Sequence, residues 1–406
     1  MRGRGVETRR TVALAAALLG LLAAGPAGAE TLQERLDRAL TIAGVSRAQT
    51  GAVALRADTG RVVYGLHRDR SLAPASNQKL AVSLGVLDRL GAGYRIQTRV
   101  LGQGSLSGTT WQGRLVLKGF GDPTLTRRDL RTLAVAVRNQ GIRRVTGKIA
   151  GDESYFDRRR TARGWRPSWY KVESPPLSAL VVGRARVGGR TVDDPALAAA
   201  RAFRAELRDA GVSVGGKAVV AKAANSAAFL TRIRSGEIER LVLRMNKVSD
   251  NFSAEMLLKH LGARLRGAGT TRAGCAVLRG VLRRRDVPLE GVRLADGSGL
   301  SRYNRFTARS LARLLLSARQ DPAVGPALVA SLPIAGVDGT LADRMESGPA
   351  RGRVRAKTGT TSKASALSGY VGGRYLFSVL QNGQPVNWTN ARRAQDRFAQ
   401  RLAGAL

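Results

Sequence analysis

The tetrapeptide Ser76-Asn77-Gln78-Lys79 constrains this chain more than any other stretch. A serine stands three residues before a lysine, and Leu80, Leu84, Leu87 and Leu90 follow with helical spacing. The pattern predicts a helix that opens at Ser76 and ends near Gly91, with Ser76 and Lys79 a turn apart on one face. A serine hydroxyl is a poor nucleophile until a base removes its proton. A lysine amine, its pKa lowered by burial and by neighbouring positive charge, is such a base. The same spacing recurs in Ser168-Trp169-Tyr170-Lys171, among Trp165, Pro167, Pro175 and Pro176, where no helix is expected. Spacing alone does not choose between the copies.

Company downstream does. Ser249-Asp250-Asn251 is the only Ser-x-Asn in the chain, and Lys357-Thr358-Gly359-Thr360 holds the only Lys-Thr-Gly. The order Ser-x-x-Lys, Ser-Asp-Asn, Lys-Thr-Gly is that of serine acyltransferases that react with penicillin. Residue chemistry supplies the roles. Ser76 attacks a carbonyl and Lys79 takes its proton. Ser249 relays a proton to the leaving nitrogen, because a hydroxyl both donates and accepts. The Asn251 amide holds Lys79 on one side and a substrate carbonyl on the other. Lys357 supplies positive charge, and Thr358 and Thr360 offer hydroxyls to a substrate carboxylate. Gly359 permits close approach, and the backbone N–H groups of Ser76 and Thr360 are the expected oxyanion donors.

Composition excludes several rivals. A Ser-His-Asp triad would need one of only two histidines, His67 and His260, both read as surface or packing residues. Two histidines and one cysteine argue against a zinc site, and no metal or cofactor is expected. Cys275 is the only cysteine, so no intramolecular disulfide is possible. The formal net charge is +39, and it comes from 58 arginines against 10 lysines. GC-rich codon usage is the bland source of that excess. Arginine cannot serve as a base, so lysine at 79 and 357 fits positions where an amine matters. The basic residues are scattered and no nucleic-acid-binding fingerprint occurs, so anionic cell-wall polymers are the expected polyanion partner and nucleic acid is not.

Residues 1–29 read as a signal peptide: Arg2, Arg4, Arg9 and Arg10, an apolar core from Val12 to Ala24, then Ala27-Gly28-Ala29 as a cleavage site. Export to a periplasm or cell-wall space follows from that reading. The rest predicts a mixed α/β (α+β) chain. A helix spans 32–42, and a hairpin spans 51–66 around Asp58-Thr59-Gly60. Strands at 95–101 and 114–118, joined by a Gly/Ser/Thr-rich loop, open a separate unit. Further strands at 144–150, 178–187 and 216–221 and helices at 129–139 and 195–210 complete it. Ser76 and Ser249 are 173 residues apart, so an α/β accessory domain at 97–234 is expected to interrupt a catalytic domain of 30–96 and 235–406. A hairpin at 366–380 and a closing helix at 390–406 end the chain, the helix packing on a sheet shared with the N-terminal hairpin.

Taken together these segments resemble the D-alanyl-D-alanine carboxypeptidase/endopeptidases, the class C, PBP4-like penicillin-binding proteins of peptidase family S13. Beyond the three motifs, the resemblance extends to Gly119-Phe120-Gly121-Asp122-Pro123, Ser174-Pro175-Pro176-Leu177-Ser178, Asp296-Gly297-Ser298-Gly299-Leu300-Ser301 and Gly336-Val337-Asp338-Gly339-Thr340. It implies a penicillin-binding-protein/β-lactamase-like transpeptidase fold, an antiparallel sheet flanked by helices, with an inserted accessory domain. The insertion is short for the two nested domains the family carries. The resemblance also implies a peptidoglycan stem-peptide substrate and covalent acylation of Ser76 by β-lactams. The segment 296–301 reads here as a glycine-rich turn outside the catalytic set. Two other readings remain: a serine β-lactamase of the same fold, which lacks its usual Glu-x-x-Leu-Asn here, and a non-catalytic wall-binding protein.

Overall fold

Val354–Thr361, Ala364–Val371 and Tyr375–Asn382 alternate around tight turns and pair antiparallel, with Leu367 opposite Val379 and Lys357 opposite Ser368. In the computed structural model, which describes residues 30–406, the hairpin from the other end of the chain extends this run. Thr50–Arg56 pairs with Tyr375–Asn382, and Val62–Leu66 closes the edge of a five-stranded sheet. This is the shared sheet the alternation predicts. The signal-peptide reading falls on residues outside those described.

Ala364–Val371 is buried at every position, which requires cover on both faces of the sheet. On one side Val53, Leu55, Ala366, Leu376 and Leu380 pack with the helices Gln78–Leu90, Asn251–Arg266, Thr271–Arg284 and Ala308–Arg319. On the other, Ala54, Leu367, Phe377 and Val379 meet Leu32–Leu40 and Trp388–Ala403. Ala394, Phe398 and Leu402 give that last helix its buried stripe, so it lies on the sheet as expected. Truncating Phe398 to alanine would cost about 3–5 kcal/mol. Among the described residues no helix is long and apolar enough to cross a membrane. Cys275 is buried in Thr271–Arg284.

The helix Gln78–Leu90 is central rather than amphipathic. Ten consecutive residues, Gln78 to Leu87, are buried, and Gly91 at φ 85° closes the helix by donating to the Leu87 carbonyl at 3.1 Å. The α-helix begins at Gln78, so Ser76 sits in a preceding 3₁₀ turn, Ala75–Asn77.

A second sheet lies within residues 95–237, ordered Ala218–Val220, Ile149–Asp152, Thr110–Gly119, Arg95–Ser107, Ala228–Glu237, with two-residue strands at Arg144–Val145 and Ser213–Val214 beside it. Leu130, Leu133 and Val137 of Arg127–Asn139, with Phe203 and Leu207 of Pro195–Asp209, cover it. Leu32–Leu406 is one compact unit.

Two expectations fail here. The Gly/Ser/Thr-rich stretch is strand, not loop. Gly104 and Gly113 face each other at φ 127° and 139°, and a Cβ on either would fall 1.9 or 2.1 Å from a carbonyl oxygen of the opposite strand. Those glycines serve close strand approach rather than a turn. Ser178–Val187 is largely irregular, with only Arg186–Val187 as strand. Its apolar alternation is satisfied by packing instead, since Leu177, Ala179 and Val181 bury against Phe156, Phe252 and Met256.

Candidate active site

Two glycine-bearing segments press on the turn that carries Ser76. A Cβ at Gly359 would lie 3.0 Å from the Ser76 nitrogen, and one at Gly299 (φ 91°) would lie 1.9 Å from the Ala75 carbonyl. The sequence reading has Gly359 admit substrate; the contact its missing Cβ relieves here is with the Ala75–Asn77 turn. The turn is also tied down by side chains. Asn77 donates to the Lys357 carbonyl at 3.0 Å, and Gln78 donates to the Asp296 carbonyl at 2.8 Å. Ala75 itself holds φ 46°, a strained value for a residue with a Cβ.

Lys79 is fully buried beneath Ser76. Its Nζ lies 2.9 Å from Ser76 Oγ, 2.8 Å from Asn251 Oδ1 and 2.7 Å from the Ser298 carbonyl. The last two partners are oxygens that only accept. When the amine is neutral, its two protons serve those oxygens and its lone pair faces Ser76. Burial lowers the Lys79 pKa to about 8, against the pull of Asp296, Asp250, Glu255 and Glu173, whose charges raise it.

Lys357 is also fully buried, and its Nζ donates to Ser249 Oγ at 3.0 Å and to the Thr358 carbonyl at 2.9 Å. Burial, and then the charge of Lys79, push its amine well below the ordinary lysine value. Ser249 occupies a left-handed position, φ 56°, in the turn between Ile238–Lys247 and Asn251–Arg266. Asp250 holds that turn: it caps Phe252 N–H at 3.2 Å, accepts from Ser253 Oγ at 2.6 Å, and is clamped by Arg184 at 2.7 and 2.8 Å.

The structure thus gathers the five residues as two hydrogen-bonded groups, Ser76–Lys79–Asn251 and Ser249–Lys357, with Ser76, Ser249 and Asn251 lining one cleft. Thr358, Gly359 and Thr360 line the same cleft of about 1230 Å³ as Ser76. One expected feature differs. The Asn251 Nδ2 donates to the backbone carbonyl of Glu173 at 3.0 Å, so the connection at 165–176 reaches the site. Lys171 of the second Ser-x-x-Lys points elsewhere, to Asp193 at 2.7 Å. His260 is buried between the Phe120 carbonyl and the Tyr94 hydroxyl, and neither histidine lines the cleft.

The D-Ala-D-Ala carboxypeptidase 3 (S13) family model matches residues 32–191 and 183–404. This chain belongs to that family. A D-alanyl-D-alanine carboxypeptidase of Actinomadura sp. (strain R39) is 32% identical across 99% of this chain and 91% of its own length. A carboxypeptidase DacB of Mycolicibacterium smegmatis is 31% identical across 80% of this chain and 75% of its own. The crystal structure of penicillin binding protein 4 from Haemophilus influenzae superposes with a TM-score of 0.80 at 21% identity, covering 91% of this chain and 98% of that one. The same protein complexed with a β-lactam gives 0.76 at 20% identity, with the same coverage. The fold and family read from the motifs therefore hold.

In this S13 chain the segment 296–301, set aside above, is part of the site. Its Ser298 carbonyl is a direct partner of Lys79. Asp296 is fully buried and accepts from Gly299 N–H, Ser301 N–H and Trp165 Nε1 at 2.7–2.9 Å, which rigidifies the loop. Glu255, one turn into the Asn251 helix, accepts from Gly297 and Ser298 N–H at 3.0 and 2.8 Å. Burial, with the charge of Asp296, raises its pKa to about 8. Sequence offered one signal for this loop, the resemblance of Asp296-Gly297-Ser298-Gly299-Leu300-Ser301 to a family segment. It offered none for Glu255 or Arg184.

Proposed function

We propose that this chain is a serine-type D-alanyl-D-alanine carboxypeptidase that also cleaves D-alanyl cross-links of peptidoglycan. The observation that carries the reading is the Lys79 amine, which joins Ser76, Asn251 and the Ser298 carbonyl within 2.7–2.9 Å. Lys79 takes the Ser76 proton as Oγ attacks the penultimate D-Ala carbonyl. The oxyanion is stabilised by the N–H groups of Ser76 and Thr360; losing one such donor raises a barrier by about 2.7–4 kcal/mol. Ser249, hydrogen-bonded to Lys357, delivers a proton to the leaving nitrogen, whose carboxylate is held by Lys357, Thr358 and Thr360. Water then releases the acyl group, and a β-lactam in the same position leaves Ser76 acylated.

The named relatives support the substrate class, since one is called a D-alanyl-D-alanine carboxypeptidase across nearly the whole chain. Export after cleavage near Ala29, a domain division of 30–96 with 235–406 against 97–234, and attachment to anionic wall polymers through the +39 charge belong to the same proposal. The test is digestion of purified stem pentapeptides and cross-linked dimers. D-Ala and monomers should appear with wild-type protein and not with Ser76→Ala. Rapid turnover of penicillin with neither peptide cleaved would instead make it a β-lactamase.

A further inference from the structure

The cleft that holds Ser76 does not end at the Lys-Thr-Gly strand. It continues over the helix Trp388–Ala403, where Arg392, Arg393, Arg397 and Arg401 line it. At about 1230 Å³ it exceeds the few hundred to 1,000 Å³ typical of a drug-sized ligand site. The two parts meet directly, because Arg392 Nη2 lies 3.5 Å from Thr360 Oγ1 and Trp388 Nε1 donates to the Thr361 carbonyl at 2.9 Å. The far wall is built rather than loose. Gln400 donates to the Ser347 carbonyl at 2.6 Å and accepts from Ala350 N–H at 2.9 Å.

Charge on this extension is unbalanced. Arg393, Arg397 and Arg401 succeed one another at four-residue intervals, so like charges stack along one helix face and repel. The nearest helix carboxylate, Asp396, is already held by Arg344 at 2.6 Å. Asp343 is the other acid on that part of the lining, and among the described residues no carboxylate pairs with Arg393, Arg397 or Arg401. Planar guanidinium groups of this kind suit carboxylates, which they bind two-pronged.

We infer that this arginine row is a subsite for the carboxylates of the leaving strand when the substrate is a cross-link. The inference rests on the peptidase reading above, and it adds which substrate the cleft favours. In that reading the leaving carboxylate is held by Lys357, Thr358 and Thr360, and Arg392 joins Thr360 to the arginine row. A terminal D-Ala leaves as one small amino acid with one carboxylate, already matched by the Lys-Thr-Gly strand. A cross-link leaves as a whole second stem peptide with further carboxylates, and its length reaches the helix.

The test compares a cross-linked muropeptide dimer, the same dimer with its leaving-strand carboxylates amidated, and a short N-acylated peptide ending in D-Ala-D-Ala. The triple variant Arg393→Gln/Arg397→Gln/Arg401→Gln should lose at least tenfold more kcat/KM on the dimer than on the short peptide. Wild-type protein should lose as much when the dimer is amidated, and the triple variant should scarcely distinguish the two dimers. Arg397→Gln alone should show about threefold of the effect, which guards against misfolding of the triple variant. Equal losses on dimer and short peptide would overturn the inference. So would unchanged dimer cleavage with reduced retention on immobilised teichoic acid, which would make the row a wall-polymer anchor. Dimer binding to Ser76→Ala protein, measured without turnover, separates the two proposals. If that binding weakens tenfold in the arginine variant although wild type hydrolyses nothing, the row still binds the carboxylates of a second strand and the peptidase reading falls.

Discussion

Ser76-x-x-Lys79 and Ser168-x-x-Lys171 have the same spacing and opposite surroundings. Lys79 is fully buried and bonded to one hydroxyl and two acceptor oxygens. The Lys171 side chain is about one-third exposed, sits at φ 65°, and is paired with the exposed carboxylate of Asp193. The first serine is wedged between a strand and a loop that both use glycine to reach it. Both serines lie in three-residue 3₁₀ turns, but Ala75–Asn77 runs on into the helix Gln78–Leu90 and Pro167–Trp169 does not. Spacing brings a serine and a lysine together only when a helix continues behind them, and reactivity requires the lysine to be dry.

The largest effect that would break this comparison is at the nucleophile. Ser76→Ala should abolish both peptide cleavage and penicillin acylation, and Ser168→Ala should abolish neither, as read by gel fluorescence with a labelled penicillin. Next, Lys79→Ala should slow acylation by about 10²–10⁴-fold, the usual worth of a general base. Stopped-flow acylation rates check this, and a Lys171→Ala rate within about twofold of wild type sharpens the contrast.

The pH dependence follows from burial. Lys79, drawn down to about 8, is protonated below that value and a free base above it. Acylation should therefore rise with pH through about 8 and then level. Burial lowers the Lys79 pKa and the charge of Glu173 opposes it, so Glu173→Gln should move the rising limb to lower pH. A limb near the ordinary lysine value would mean that the amine is hydrated. A smaller effect tests the second motif. Arg184→Ala leaves Asp250 without its clamp and should cost about 1.5–3 kcal/mol of stability by urea denaturation.

Much of this was legible because short motifs carry their own chemistry. The lysines at 79 and 357, the Ser-Asp-Asn turn and the shared sheet all follow from residue type and alternation. What escaped was long-range. Glycines at 104 and 113 looked like loop because a sequence does not show that a partner strand lies 1.9–2.1 Å from their missing Cβ atoms. Ser178–Val187 looked like strand because apolar alternation also serves a segment packed against Phe252 and Met256. Ser298 acts through its backbone carbonyl, which any residue could supply, so no side-chain pattern marks it. Glu173 and Arg184 reach the site from the stretch between the first two motifs, more than 60 residues from the residues they touch.

Peptide mapping of the protein after reaction with a labelled penicillin decides between the two serines. One adduct is expected, on the peptide containing Ser76, and none in Ser76→Ala protein. An adduct on the peptide containing Ser168, or one that persists in Ser76→Ala, would contradict the assignment to Ser76.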